Sequence, residues 1–198
     1  MTLSAVDGLA QATAGYLTGV PAASRFMAEF PRVIPSRAPA PSRLPVCRVL
    51  PKLGSLAGPS TRGLVDALAS AADALSWRQT YSASDFGPEF LENYGWTELI
   101  GLRGPIASEK LACGFLLLGA NAEYPAHAHE AEELYLPLAG EALWMRGDEG
   151  FVRRDVGEPI EHPAWTPHAM RASRDPVLAL YLWRGGDLAA KSRIVGKP

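Results

Sequence analysis

Cysteine is scarce: the 198 residues contain two, Cys47 and Cys113. They are far apart and form no C-x-x-C pair. This excludes a disulfide framework and a zinc–thiolate site, and leaves two reduced, partly buried thiols as the expectation. Long hydrophobic runs are missing as well: no stretch approaches the ~20 apolar residues that span a bilayer. Charge of one sign is also missing, with 19 Lys and Arg against 21 Asp and Glu and a net charge of −2. A chain so balanced lacks the basic surface that neutralises nucleic-acid phosphates and the polybasic patch that holds an anionic membrane. The opening residues, MTLSAVDGLAQATAGYL, place Asp7 early and carry no basic segment before an apolar run. They do not read as a signal peptide, and a cytoplasmic protein is expected.

At roughly 150 residues per domain, the length suggests one domain with an appendage. The texture divides near residue 77. Residues 1–76 form an Ala-rich, helical N-terminal extension, expected to pack on the rest of the chain or at a homodimer interface. Ser4 to Leu17 and Pro21 to Phe30 read as helices, with Pro21 at a first helical position and Phe26, Met27 and Phe30 on one face. The prolines from Pro31 to Pro45 remove backbone donors and predict an extended connector. Ser60 or Thr61 is placed to cap a third helix through Leu75.

Residues 77–198 read as short strands between turns. The candidates are Trp96–Leu102, Leu111–Leu118, Glu133–Leu138, Ala142–Arg146, Gly150–Arg153, Glu158–Ile160, Ala169–Ala172 and Val177–Trp183. Turn signals such as Gly119-Ala120-Asn121, Ala139-Gly140 and Arg174-Asp175-Pro176 separate them. This pattern predicts a mainly β fold, an antiparallel sandwich or barrel.

All four histidines, His127, His129, His162 and His168, fall within this β region. In a strand, His127 and His129 point to one face, so both imidazoles can converge on one point. HAHEAEELYLPLAG then reads as a strand, a turn through Glu130 to Glu132, and a returning strand that carries Glu133 and Tyr135 on a shared face. Two imidazoles and a carboxylate, with His168 as a natural fourth ligand, suit one divalent Fe, Zn, Mn, Ni or Co ion. Taken singly, each residue has a plainer reading: surface histidines, a solvated Glu130–Glu133 charge run, a half-buried strand tyrosine. The combined spacing is far more specific than any one member. His162 is expected at a surface strand end, with support of the site from behind as the alternative.

His127-x-His129-xxx-Glu133-xxxxxx-Gly140 resembles the first cupin motif, and Gly157-xxxxx-Pro163-x-Trp165-xx-His168 the second, in which the final His completes the metal site. Two glycines expected of the motifs are replaced, by Asn121 and by Trp165. From about Trp77 to Leu188 the chain further resembles the cupin-type dimethylsulfoniopropionate lyases. The matching pieces are ENYGWTELIG, GPIASEK, YPAHAHEAEELYLPLAGEALW, PHAMRA and ALYLWRGGDL.

The resemblance implies a cupin (double-stranded β-helix or jelly-roll) barrel and a carbon–sulfur lyase that cleaves a small zwitterionic sulfonium to dimethyl sulfide and acrylate. It implies a metal on His127, His129, Glu133 and His168, Tyr135 as general base, and Tyr124 and Trp183 in the substrate pocket. Trp165 and Trp144 join the pocket candidates by motif position. An unperturbed tyrosine, with pKa ~10, is a poor base at neutral pH, and a neighbouring cation would favour its phenolate. The competing readings are a cupin dioxygenase or isomerase on another small carboxylate, which has no need of Tyr135, and a non-enzymatic small-ligand sensor. No DNA-binding helix-turn-helix accompanies the barrel to support the sensor.

Overall fold

The computed structural model describes residues 4–31 and 37–196. Helix α1 (Ala5–Thr18) opens on a capping box in which Ser4 and Asp7 satisfy each other's backbone donors, and it buries Leu9, Ala10, Thr13 and Leu17. The second expected helix is broken. Pro21–Ala23 is a 3₁₀ turn, and α2 (Ser24–Met27) is a single turn. Beyond it, Glu29 and Phe30 bond three residues back rather than four. Pro31 accounts for the stop, since it disfavours the helical conformation at Phe30.

Of the expected connector, residues 32–36 lie outside the described residues. The rest is tied down by Arg37, whose guanidinium donates to the carbonyls of Leu102 and Gly101. A 3₁₀ turn at Pro45–Val49 and helix α3 (Leu50–Leu56) follow, where the sequence reading had no helix. Their prolines sit in first-turn positions, where a missing N–H costs little. Helix α4 (Arg62–Ala71) is shorter than expected and ends in a 3₁₀ turn at Ala72–Ala74. Thr61 precedes it but does not cap it by a side-chain bond. Its hydroxyl instead donates to the Leu138 carbonyl at 2.7 Å, tying the helix to the sheet. Two further short helices, α5 (Ala83–Phe86) and α6 (Pro88–Glu92), lie inside the region read as all strand.

The strands are β1 (Trp77–Arg78), β2 (Tyr94–Gly101), β3 (Ile106–Ala107), β4 (Leu111–Leu118), β5 (Glu123–Ala128) and β6 (Glu132–Ala139). They continue with β7 (Ala142–Arg146), β8 (Val152–Arg154), β9 (Ile160–His162), β10 (His168–Ala172), β11 (Val177–Arg184) and β12 (Arg193–Ile194). They make two sheets, one in the order β1-β2-β4-β11-β6-β9 with β3 beside β2, the other β12-β5-β10-β7-β8. All pairs are antiparallel except β2 with β3.

The larger sheet is buried on both faces, which is why β4 and β11 read as nearly unbroken apolar runs. Cys113, Phe115 and Leu117 on β4, Leu134, Leu136 and Leu138 on β6, and Leu178, Leu180 and Leu182 on β11 share one cluster with Leu9, Leu17, Phe26, Leu64 and Leu68 of the helices. Each such aliphatic side chain contributes roughly 1.5–3 kcal/mol by leaving water. The alternate residues, among them Leu116, Tyr135, Ala179 and Tyr181, face the second sheet and meet Tyr124, Trp144 and Met170 there. Among the described residues no helix is long and apolar enough to cross a membrane.

A candidate metal centre between the sheets

Strands β5 and β10 pair with His127 opposite His168. His129 follows β5 by one residue, and its carbonyl accepts the Trp165 N–H at 2.7 Å, which pins the turn before β10. One ring nitrogen from each of His127, His129 and His168 lies within 4.8 Å of the others, and all three rings are buried. Their Nδ1 atoms are engaged with backbone carbonyls: Pro125 for His127 at 2.9 Å, Ala131 for His129 at 2.8 Å and Thr166 for His168 at 2.8 Å. A neutral imidazole that donates through Nδ1 offers its lone pair at Nε2, so the backbone selects the tautomer that a metal needs.

Glu133 comes from the larger sheet. Its Oε2 stands 3.0 Å from His129 Nε2 and 3.1 Å from His168 Nε2, while Oε1 accepts the Trp183 indole N–H at 2.6 Å. The contact to His168 lacks hydrogen-bond geometry, so its buried Nε2 is left without a partner. A buried orphan nitrogen beside a carboxylate and two further imidazoles fits a divalent cation. The charges agree. Burial lowers the His127 pKa far below the ordinary histidine range, and His168 adds to it. Burial also acts to lower His129, but the charge and hydrogen bond of Glu133 outweigh it and leave His129 raised. Burial acts to raise Glu133, yet His129 and then His168 hold it well below the usual carboxylate range.

A cavity of about 560 Å³ adjoins this cluster, and Glu133, Tyr135, Tyr124 and Trp183 stand on its wall together with Tyr94, Trp96 and Tyr181. The imidazoles lie behind that wall. Tyr124 stacks on His127 (centroids 4.0 Å apart, 16° between planes) and its hydroxyl is 3.2 Å from that of Tyr81. Trp183 lies against His129 at 4.1 Å. Tyr135 is 6.3 Å from the His168 ring, centroid to centroid. Burial raises its hydroxyl pKa well above the ordinary tyrosine value, and Glu133 adds to this. A cation at the imidazoles acts in the opposite direction.

Three expectations need correction. Trp165 is not brought to the cavity. It is 46% exposed, with the Arg193 guanidinium over its ring at 4.6 Å. Its φ of +61°, at a position where the motif has glycine, turns the side chain outward at a cost of about 1–2 kcal/mol. Trp144 is buried behind Tyr135, at 5.2 Å between rings, and takes no part in the cavity wall. His162 is not a surface histidine. It is 1% exposed, lies opposite Glu133 in the β6–β9 pairing and stacks on His168. Burial, followed by His168, lowers its pKa to about 3.

Asn121, the other motif departure, keeps the glycine-like conformation with φ +59°. Gly140 ends the first motif with φ +82°, and a Cβ there would collide with the Pro176 carbonyl. The sequence reading also passed over Tyr94, Trp96 and Tyr181. Their signal was alternation: Tyr94 and Trp96 are two apart on β2, and Tyr181 is two before Trp183 on β11.

Comparison with known proteins finds relatives in both sequence and fold. DddQ, a dimethylsulfoniopropionate lyase of Ruegeria pomeroyi, is 36% identical over 145 residues, covering 73% of this chain and 72% of DddQ. The putative lyase DddL of Cereibacter sphaeroides is 31% identical over 130 residues, covering 65% of this chain and 53% of DddL. The crystal structure of the Ruegeria pomeroyi DddQ superposes with a TM-score of 0.90 at 32% identity, over 98% of both chains. A chain from the crystal structures of the lyases RdDddP and RnDddQII gives 0.89 at 32% identity, over 96% of this chain and 97% of that one. The sequence profile of the dimethylsulfoniopropionate lyases matches residues 22–179. On that match and these relatives, the chain belongs to the dimethylsulfoniopropionate lyase family.

Proposed function

We propose that this chain cleaves dimethylsulfoniopropionate to dimethyl sulfide and acrylate by a metal-dependent β-elimination. One observation carries the reading beyond family membership. Three imidazoles with Nδ1 engaged by backbone share a buried site with Glu133, and a tyrosine, Tyr135, borders the same cavity. His127, His129, Glu133 and His168 would hold the metal. When bound, a divalent ion supplies an anchor for the substrate carboxylate and a sink for the negative charge that grows beside it.

The chain's own groups do the rest. Tyr135 Oη takes the proton from the carbon next to the carboxylate. The electron pair of that C–H bond forms the C=C bond of acrylate as the carbon–sulfur bond breaks and neutral dimethyl sulfide leaves. Tyr124 and Trp183 present ring faces to the sulfonium, each worth about 0.5–2 kcal/mol of cation–π attraction. Tyr135 and Tyr124 are 3% and 4% exposed, so bulk water is kept from the proton being moved. The test is headspace gas chromatography of metal-loaded protein given the sulfonium substrate. Dimethyl sulfide and acrylate in equal amounts are expected, and gas no greater than in a metal-only blank refutes the proposal.

A further inference from the structure

Each of the three clustered imidazoles is held at its edge by the Nδ1 contact to a backbone carbonyl. Each is also covered on one face by another ring: His127 by Tyr124, His129 by Trp183, and His168 by His162. The last pair is nearly parallel, with centroids 4.2 Å apart and 21° between planes. Tyr124 and Trp183 are on the cavity wall, whereas His162 is not. His162 arrives on β9 of the larger sheet, and His168 on β10 of the other, so their stack spans the barrel.

We infer that His162 is a positioning residue for the metal centre, a backstop whose ring sets the plane of His168. The inference rests on the reading of His127, His129 and His168 as metal ligands. Both nitrogens of His162 are buried and bond nothing among the described residues. A side chain whose polar atoms are idle acts through the shape and face of its ring. The His127 and His129 rings meet His168 edge to face, at 4.1 Å and 5.1 Å. Removal of His162 therefore opens a face of His168 that neither of these covers. The ring can then tilt about its Thr166 contact, and Nε2 moves off the point shared with the other two. Outer partners that hydrogen-bond a metal-ligating histidine typically govern 10–100-fold in metal affinity, and we take the same order for a ring that fixes the histidine's plane.

The test is cobalt(II) uptake by the whole chain, measured by competition with a chelator and by the visible absorption of the bound ion. His162→Phe keeps a flat ring and loses the nitrogens; His162→Leu fills the space without a flat face; His162→Ala empties it. Wild type and His162→Phe are expected to bind within about fivefold of each other with the same spectrum. The Leu and Ala variants should bind 10–100-fold more weakly with a shifted spectrum. Unchanged affinity in Leu and Ala, or a Phe variant as weak as Leu, overturns the inference. Circular dichroism monitors folding. If Ala alone fails to fold, the Phe–Leu comparison decides; if all three fail, His162 serves the fold and the inference falls. No substrate enters this measurement. Dimethyl sulfide release by the wild type tests the reaction separately, and a wild type that takes up no cobalt overturns both.

Discussion

Tyr135→Phe removes one oxygen from a ring that is 3% exposed on β6. The ring is held by Trp144 at 5.2 Å, His162 at 5.9 Å and His168 at 6.3 Å, and none of these contacts needs the hydroxyl. The swap nearly conserves volume, so stability should move by less than about 1.5 kcal/mol. The imidazoles keep their places and Glu133 loses the Tyr135 hydroxyl but keeps its Trp183 donor, so metal content should stay near the wild-type level. Turnover should not. A positioned general base is typically worth 10²–10⁴-fold, or about 3–5 kcal/mol of barrier.

The pH profile carries the same signature. Burial first, and Glu133 second, raise the phenol pKa, so its neutral form prevails through neutrality. Below that pKa each unit of pH removes about nine-tenths of the phenolate, and wild-type turnover should climb from pH 6 to pH 9. Dimethyl sulfide release by both proteins across that range, with circular dichroism and elemental analysis alongside, makes the comparison. A folded, metal-loaded Tyr135→Phe that keeps more than about a tenth of wild-type turnover refutes Tyr135 as the base.

Four other outcomes are expected. Elemental analysis should find about one divalent ion per wild-type chain and much less in His129→Ala and His168→Ala; unchanged content in both would remove the ligand assignment. Trp183→Phe deletes the 2.6 Å donor to Glu133, a bond to a charged group worth about 1.5–3 kcal/mol, and should weaken metal binding roughly tenfold or more. Trp183→Ala and Tyr124→Ala also strip the cavity wall and should raise KM for the sulfonium; wild-type KM in both would make those rings peripheral. Cys47 and Cys113 are 1% and 0% exposed with burial raising both thiols, so a thiol reagent should label neither until the chain is denatured.

Local pattern made much of this legible. Leu111–Leu118 and Ala142–Arg146 have the same ends in the sequence reading and in the structure, because apolar runs bounded by turn signals mark strands directly. The shared strand face of His127 and His129 follows from their spacing, whereas the meeting of that pair with Glu133 and His168 was implied by the resemblance of the two motifs to those of a known family. Helix α3 was hidden because proline weighs against a helix until its place in the first turn is known. Helices α5 and α6 are too short to show a period. His162 was misjudged because its surroundings come from cross-strand register: nothing near it in the chain says that β9 lies against β6. Trp165 was placed at the cavity by motif position, and motif position does not register that a left-handed backbone there turns the side chain outward.

His127 and His168 are register partners across β5 and β10, yet β6, β7, β8 and β9 lie between them in the chain. Helix α1 and the β7–β8 hairpin close short loops, whereas the β5–β10 pairing must close a long one, and contacts of that kind form slowly. A refolding chain therefore acquires helix and hairpin signals before it has a place for a cation, and cobalt colour will be among the last signals to develop. Metal present from the start will not hasten folding. It binds what is already assembled, so it will slow unfolding and leave the folding rate where it was.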